Sequence, residues 1–336
     1  MKLVVQTRNT NADVLKSISI FGVVFIHGSS ILGESDIMLF LRDMFRFTVP
    51  CFITLWSFFF EKSYQKKNKT DRRKYIVKRF VHLFRVFVLW SLLYFFVTVD
   101  WQNFTAKDIL TKYFSGYGWS GQYFFIILFQ FLLLYPLIRK VYKIKFLRVL
   151  TLATVVLIYL GWNYSYGVLP EPIKKLGFRP FLFWLPYVFL GMALAKNKVN
   201  RISLWFGVCP LLLAVELLLL RKWEFSHMDY ITLGVLVFSL LFCMALLQSK
   251  TIVVPERFNK VLGFVGRNTL IVFVSNPLII KLINKLLEVG VVNERINLFP
   301  LWTKVVLSLI AIILIFMGTL GIAKFLHKST LIKIFG

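Results

Sequence analysis

Ten apolar runs, near 14–32, 45–60, 80–99, 122–138, 146–164, 181–195, 203–220, 229–248, 268–287 and 303–325, alternate along the chain with short polar and basic segments. Each run approaches the roughly 20 residues an α-helix needs to cross a bilayer. The pattern predicts an all-α, polytopic integral membrane bundle of about ten transmembrane helices, forming one domain over residues 1–336. No connection is long enough to hold a folded soluble domain. The longest, Glu61 to Lys78, carries Gln-Lys-Lys-Asn-Lys-Thr-Asp-Arg-Arg-Lys and reads as a solvated cytoplasmic loop. The second run is short and contains Pro50, so a re-entrant or kinked segment stands as an alternative there.

Charge supplies an orientation. With the N-terminus inside, 27 Lys and Arg fall on the inner segments and 13 on the outer ones, with Arg85 left inside a run. That bias obeys the positive-inside rule and predicts both termini in the cytoplasm. The first run is followed by no convincing small-residue cleavage site and carries His27, so it reads as a retained span and not as a signal peptide. Composition agrees: of 336 residues 58% are hydrophobic, and the mean hydropathy is +0.73. A net charge of +26 would suggest nucleic acid if it lay on a soluble domain. It lies between apolar runs, where anionic lipid and orientation explain it, so no nucleic-acid partner is expected. Cys51, Cys209 and Cys243 each fall within an apolar run, without CxxC or Cys/His ligand spacing. They read as small buried hydrophobes, and no metal site is expected. No Gly-rich phosphate loop, GxSxG, low-complexity segment or internal repeat is present, which directs attention to the helices themselves.

Lys16 and His27 open and close the first run, eleven residues apart. On an α-helix that is roughly 1100° of rotation and about 16–17 Å of rise, so both share one face. An ionisable group in a membrane helix points to a functional site; the alternative is a histidine bonded to a neighbouring helix as packing glue. In the third run Lys78, His82 and Arg85 stand at i, i+4 and i+7 on one stripe, flanked by Arg79. They form either a snorkelling collar or a cationic stripe suited to a phosphate-bearing ligand such as a nucleotide-containing acyl donor. Glu216, amid leucines, can partner Arg85 or His27 or be a protonated structural acid. Glu34 and Asp36, just past the first run, can orient His27 or be ordinary loop carboxylates.

Asp13-Val-Leu-Lys16 through Phe25-Ile-His27 resembles the first-helix signature of the membrane acyltransferase 3 family, a basic residue followed after ten positions by histidine. Val49-Pro50-Cys-Phe-Ile, Lys78-Arg79 leading to Trp90-Ser-Leu-Leu-Tyr94, Tyr123-Phe-Phe to Tyr135-Pro136-Leu, and Phe189-Leu-Gly191 followed by Gly266-Arg-Asn-Thr269-Leu agree in order and spacing. The resemblance covers nearly the whole chain. It implies a ten-helix bundle in a bacterial cell membrane that moves an acyl group, often acetyl, from cytoplasmic acyl-CoA to a hydroxyl of an envelope polysaccharide or its lipid-linked precursor. Acyl-CoA (acetyl-CoA) is then the donor substrate, with no bound cofactor and membrane lipid as the surroundings. By the resemblance His27 is the residue essential for transfer and Lys16 its basic companion. Arg79 and His82 occupy the family's Arg-x-x-Arg pair, with Arg85 one turn on, and Asn276 stands where a histidine is common.

An imidazole can take a proton from a sugar hydroxyl attacking a thioester, or can itself be acylated and pass the group on. Asn276 can stabilise an oxyanion or hold the imidazole tautomer. His27 sits past the midplane toward the outside, so the donor must reach it through a covalent relay or a deep cavity. The expectation is therefore an integral membrane O-acyltransferase with His27 and Asn276 at the reacting centre, and Lys16, Arg79, His82 and Arg85 binding the donor. Rival readings are a transporter or flippase for a lipid-linked sugar, with His27, Arg85 and Glu216 lining its path, and a non-catalytic partner of polysaccharide synthesis.

Overall fold

The apolar runs fold as helices. The structure, a computed structural model, describes residues 9–99, 101–102, 105, 107, 109–196, 209–222, 230–248, 252–288 and 298–328. Helix α1 (Thr10–Gly28) starts at Asn9, whose side chain accepts a hydrogen bond from the Ala12 amide at 3.0 Å, satisfying one of the unpaired donors of a helix N-terminus. Then follow α2 (Asp36–Met44), α3 (Thr48–Gln65), α4 (Lys69–Thr98), α5 (Tyr123–Lys143) and α6 (Lys145–Ser165). The second half of the chain forms α7 (Leu185–Ala195), α8 (Cys209–Lys222), α9 (Leu233–Gln248), α10 (Glu256–Arg267), α11 (Thr269–Glu288) and α12 (Leu301–Lys328). Each of the ten apolar runs falls on one of these helices; the run near 203–220 is described from Cys209 onward. Among the described residues there is no strand, and α4, α5, α6, α11 and α12 are long and apolar enough to cross a membrane. α9, and α7 taken with the 3₁₀ turn Phe181–Trp184 before it, are shorter apolar helices.

Three points bear on the sequence reading. The stretch from Glu61 to Lys78 is not a loop: α3 runs on to Gln65, α4 begins at Lys69, and only Lys66 to Asn68 turn between them. Lys, Arg and Gln are good helix formers, so a polar, basic stretch extends a helix beyond its apolar part as readily as it forms a loop. Asn68 caps the new helix by accepting from the Asp71 amide at 2.9 Å. Second, α3 runs unbroken through Pro50, the third residue of the helix, where a missing N–H removes no intrahelical bond. Third, α2 and α10 occupy segments read as connections. Both are amphipathic; α10 buries Gly263, Val265 and Gly266 while Phe258 and Val261 stay exposed.

α1 is the central element, packing against α3, α9, α10, α11 and α12. Small residues permit the close crossings, as is usual where helices meet in lipid. A Cβ on Gly22 would lie 2.4 Å from Thr48 Cγ2, one on Gly266 2.6 Å from Asp13 Oδ1, and one on Gly191 of α7 2.5 Å from the Thr54 carbonyl oxygen of α3. Cys51 and Cys243 are buried free thiols whose sulfurs approach to 3.4 Å between α3 and α9; the side chain of Cys209 lies outside the described residues. Large apolar side chains stand on the surface of the long helices: Leu133 and Leu137 of α5, Phe146 and Leu157 of α6 and Trp302, Leu314 and Phe325 of α12 are all exposed. Apolar exposure of this kind suits contact with lipid.

Candidate functional site

His27 sits in the last turn of α1 and lines a cavity of about 800 Å³. Its Nδ1 is 2.7 Å from Oδ1 of Asn276, on α11. The Asn276 amide is fixed from the other side, because its Nδ2 donates to the carbonyl oxygens of Val272 at 2.9 Å and Phe273 at 2.8 Å. Both amide hydrogens are thus committed to the helix backbone, and only the carbonyl oxygen faces the ring. An oxygen acceptor at 2.7 Å requires a proton on Nδ1, so the neutral imidazole carries its hydrogen there and its lone pair on Nε2. The tautomer is assigned by this hydrogen-bond pattern. Local sequence produces the arrangement: a mid-helix Asn bonds back to the carbonyls one turn earlier, and Pro277 just after it offers no amide to compete.

The opposite wall comes from the segment before α5, Gly116-Tyr-Gly-Trp-Ser-Gly-Gln122. Gly116 and Gly121 adopt φ of +92° and +90°, a region that favours glycine. A Cβ on Gly121 would lie 2.8 Å from the Phe273 ring and 3.6 Å from Cε1 of His27, so the backbone passes directly beside the imidazole. Gln122 pins the segment, donating to Ser91 Oγ at 2.8 Å and to the Tyr113 carbonyl at 2.6 Å while accepting from the Gly118 amide at 2.6 Å. Trp119 stacks on Tyr94 with ring centroids 4.9 Å apart, and Tyr94 donates to the Val274 carbonyl of α11 at 2.8 Å. The cavity is completed by Tyr123, Phe178 and Tyr230 and by four cations, Arg46, Lys112, Lys281 and Lys285. In the sequence, the signal for this loop is the glycine density of 116–121.

The remaining sequence candidates lie elsewhere. Lys16 is 3.7 Å from Asp13 Oδ1 and sits over the Phe59 ring. Arg79 and Arg85 are exposed, His82 is half-buried, and Arg79 stacks on Tyr75. None of these four lines the His27 cavity. Glu216 reaches the start of α9, where it accepts from the Gly234 amide at 2.7 Å, and it is likewise outside the cavity lining. A carboxylate there satisfies the free amides of a helix N-terminus. Glu34 and Asp36 are exposed around Ser35, the cap of α2, and the orienting contact to His27 is made by Asn276.

A second buried polar cluster lies between α3 and α5. Glu61, with 0% of its surface exposed, accepts from Tyr135 Oη at 2.6 Å, from Gln65 Nε2 at 2.7 Å and from Arg139 Nε at 3.0 Å. It ties α3 to α5. Arg139 also stacks on Tyr64, as does Arg72 of α4. In one dimension a carboxylate beside Lys62 looks solvated, whereas the fold places Glu61 within α3 and buries it.

A family model described as an acyltransferase domain matches residues 9–322. Neither the curated proteins nor the solved structures contain a match to the chain. The family match spans every described helix from α1 into α12 and includes both His27 and Asn276, so the chain belongs to the acyltransferase 3 family.

Proposed function

We propose that the protein is a multi-pass bacterial membrane O-acyltransferase that moves an acyl group, acetyl in the simplest case, from cytoplasmic acyl-CoA to a hydroxyl of a cell-surface polysaccharide or its lipid-linked precursor. The observation that carries this reading is the chain from the Val272 and Phe273 carbonyls through Asn276 to Nδ1 of His27, which leaves the Nε2 lone pair for a substrate proton. In the direct route, Nε2 accepts the proton of the acceptor hydroxyl as its oxygen attacks the thioester carbonyl carbon. The new C–O bond forms, the C–S bond breaks, and the imidazolium returns the proton to the departing sulfur. The Asn276 oxygen stabilises the imidazolium through Nδ1, so the residue positions the base without touching substrate.

With both termini in the cytoplasm, as the charge bias favours, α1 runs outward and the His27 end of the bundle faces the outside. Tyr230, Lys281 and Lys285 then belong to the same outer end, and Lys16, Arg79, His82 and Arg85 to the cytoplasmic end. Lys16, Arg79 and Arg85 suit the phosphates of acyl-CoA as cations, with the His82 imidazole beside them as a hydrogen-bonding group. The test is surface-glycan O-acetyl content by NMR in cells carrying the native chain, His27→Ala, or no gene, at matched membrane levels. Acetyl signals that vanish equally in the last two, with polymer still exported, are expected. Full acetylation in His27→Ala sinks the histidine mechanism, and loss of the polymer itself favours a transporter.

A further inference from the structure

Attack on a thioester puts negative charge on its carbonyl oxygen, and a hydrogen-bond donor waiting for that oxygen is usually the largest single contribution to catalysis of acyl transfer. His27 moves the proton and does not meet this charge. Asn276 does not meet it either: both its amide hydrogens are committed to the Val272 and Phe273 carbonyls, at 2.9 and 2.8 Å, and only its oxygen faces the ring.

Gly121 carries a donor in the right place. The Gln122 amide donates to the Trp119 carbonyl at 3.1 Å, and Gly121, third residue of this four-residue turn, has φ of +90°. Glycine at positive φ in the third position is the type II pattern, whose own hydrogen bond does not use that residue's N–H. Among the described residues the Gly121 amide donates to nothing. Yet Gly121 is buried, and it lines the His27 cavity. The great majority of buried backbone amides are paired, so an unpaired one on the wall of a reaction cavity is fitted to a ligand atom. A Cβ on Gly121 would lie 3.6 Å from Cε1 of His27, the ring carbon bonded to Nε2. The backbone that carries this N–H therefore passes the same edge of the imidazole as the Nε2 lone pair. The turn is also held rigidly. Gln122 fixes it through Ser91 and the Tyr113 carbonyl, and Trp119 stacks on Tyr94, which is bonded to the Val274 carbonyl of α11. Gly121 and the Asn276 that orients His27 are thus tied to one helix, and a donor fixed in advance costs no reorganisation when charge develops.

We propose that the backbone N–H of Gly121 is the oxyanion donor of the transfer reaction. The proposal rests on the acyltransferase reading and adds a catalytic group to it. As the acceptor oxygen bonds to the thioester carbonyl carbon and its proton passes to Nε2 of His27, the carbonyl π pair moves onto oxygen, and that oxygen accepts from the Gly121 N–H. The pair then returns, the C–S bond breaks, and the thiolate takes the proton from the imidazolium.

The test exchanges that one N–H for an ester oxygen in the full-length protein. Chains are made by cell-free translation into lipid nanodiscs, with an amber codon at 121 read by a suppressor tRNA charged with glycolic acid, or with glycine as the native control. The Ser120 carbonyl, which an ester weakens as an acceptor, accepts no hydrogen bond among the described residues, so the exchange removes a donor and little else. Initial rates are measured with radiolabelled acetyl-CoA and surface glycan purified from the gene-deleted host. The Gly121 ester is expected to lower kcat by about 10²–10³-fold, the usual cost of one oxyanion donor, while KM for acetyl-CoA and Tm stay near native. The same exchange at Gly118, whose amide donates to Gln122 Oε1 at 2.6 Å, is the structural comparison and should lower Tm. An unchanged kcat for the Gly121 ester, or an effect confined to KM or Tm, overturns the proposal and leaves the acyltransferase reading standing. No transfer by the glycine-bearing control sinks both.

Discussion

At the scale of single residues, the reading depends on one hydrogen bond and one glycine. Replacing Asn276 by Leu keeps the volume but removes the oxygen that holds Nδ1–H, so the ring loses its fixed tautomer. Transfer rate should fall by about tenfold to a hundredfold with KM for acyl-CoA little changed, the usual cost when a residue that orients a reacting group is lost. Initial rates with radiolabelled acetyl-CoA in membrane vesicles check this; a KM effect alone would mean that Asn276 binds substrate. Gly121→Ala forces an L side chain into the left-handed region and drives a methyl to 2.8 Å from Phe273. A loss of about 1–3 kcal/mol is expected from the backbone alone, read as a lower melting temperature together with lost transfer, whereas Gly161→Ala, where a Cβ meets nothing within 4 Å, should leave both unchanged.

At the scale of elements, the helices are held by close crossings and by buried ion pairs, Glu61–Arg139 among them. Gly191 lets α7 approach the backbone of α3, and a Val there would collide with the Thr54 carbonyl and the Phe58 amide. Gly191→Val should abolish accumulation in the membrane, measured by immunoblot against a co-expressed control. Glu61→Leu removes the acceptor of Tyr135, Gln65 and Arg139 and leaves a guanidinium, 15% exposed, without its carboxylate. Breaking such a pair from one side costs about 3–5 kcal/mol. The thermal midpoint of the purified protein should drop accordingly, more than for Tyr135→Phe, which removes one hydrogen bond to a charged acceptor, worth about 1.5–3 kcal/mol. An equal effect of the two would mean that Arg139 finds another partner. The α3–α4 turn was hidden from sequence by the same feature that makes it helical. Basic residues are both solvated and good helix formers, so composition alone does not separate a loop from two helix ends.

At the scale of the molecule, orientation is the decisive property. In a chain with its native cysteines replaced by Ala, Asn68→Cys should react with an impermeant maleimide only when the cytoplasmic face is open, and Glu34→Cys only from outside. Both positions are in exposed segments. The reverse pattern would put the His27 cavity in the cytoplasm and detach it from an external acceptor.

What the sequence determined by itself was the ladder of apolar runs, because burial in lipid demands a length and a hydropathy that no tertiary contact has to supply. It also marked Lys16 and His27, since an ionisable residue stands out against leucine and phenylalanine, and the family signature is local to one helix. Tertiary structure decided partnership. That Asn276 meets His27 across 249 positions, that Gly121 passes beside the ring, that Glu216 caps α9 and that Glu61 is buried all depend on which helix faces which. Helix packing in lipid is set by small-residue contacts and buried polar pairs distributed over distant segments, and neither leaves a period or a spacing in one dimension. The cations of the cavity were visible in the sequence only as a charge count; the fold alone assembled Arg46, Lys112, Lys281 and Lys285 around one space.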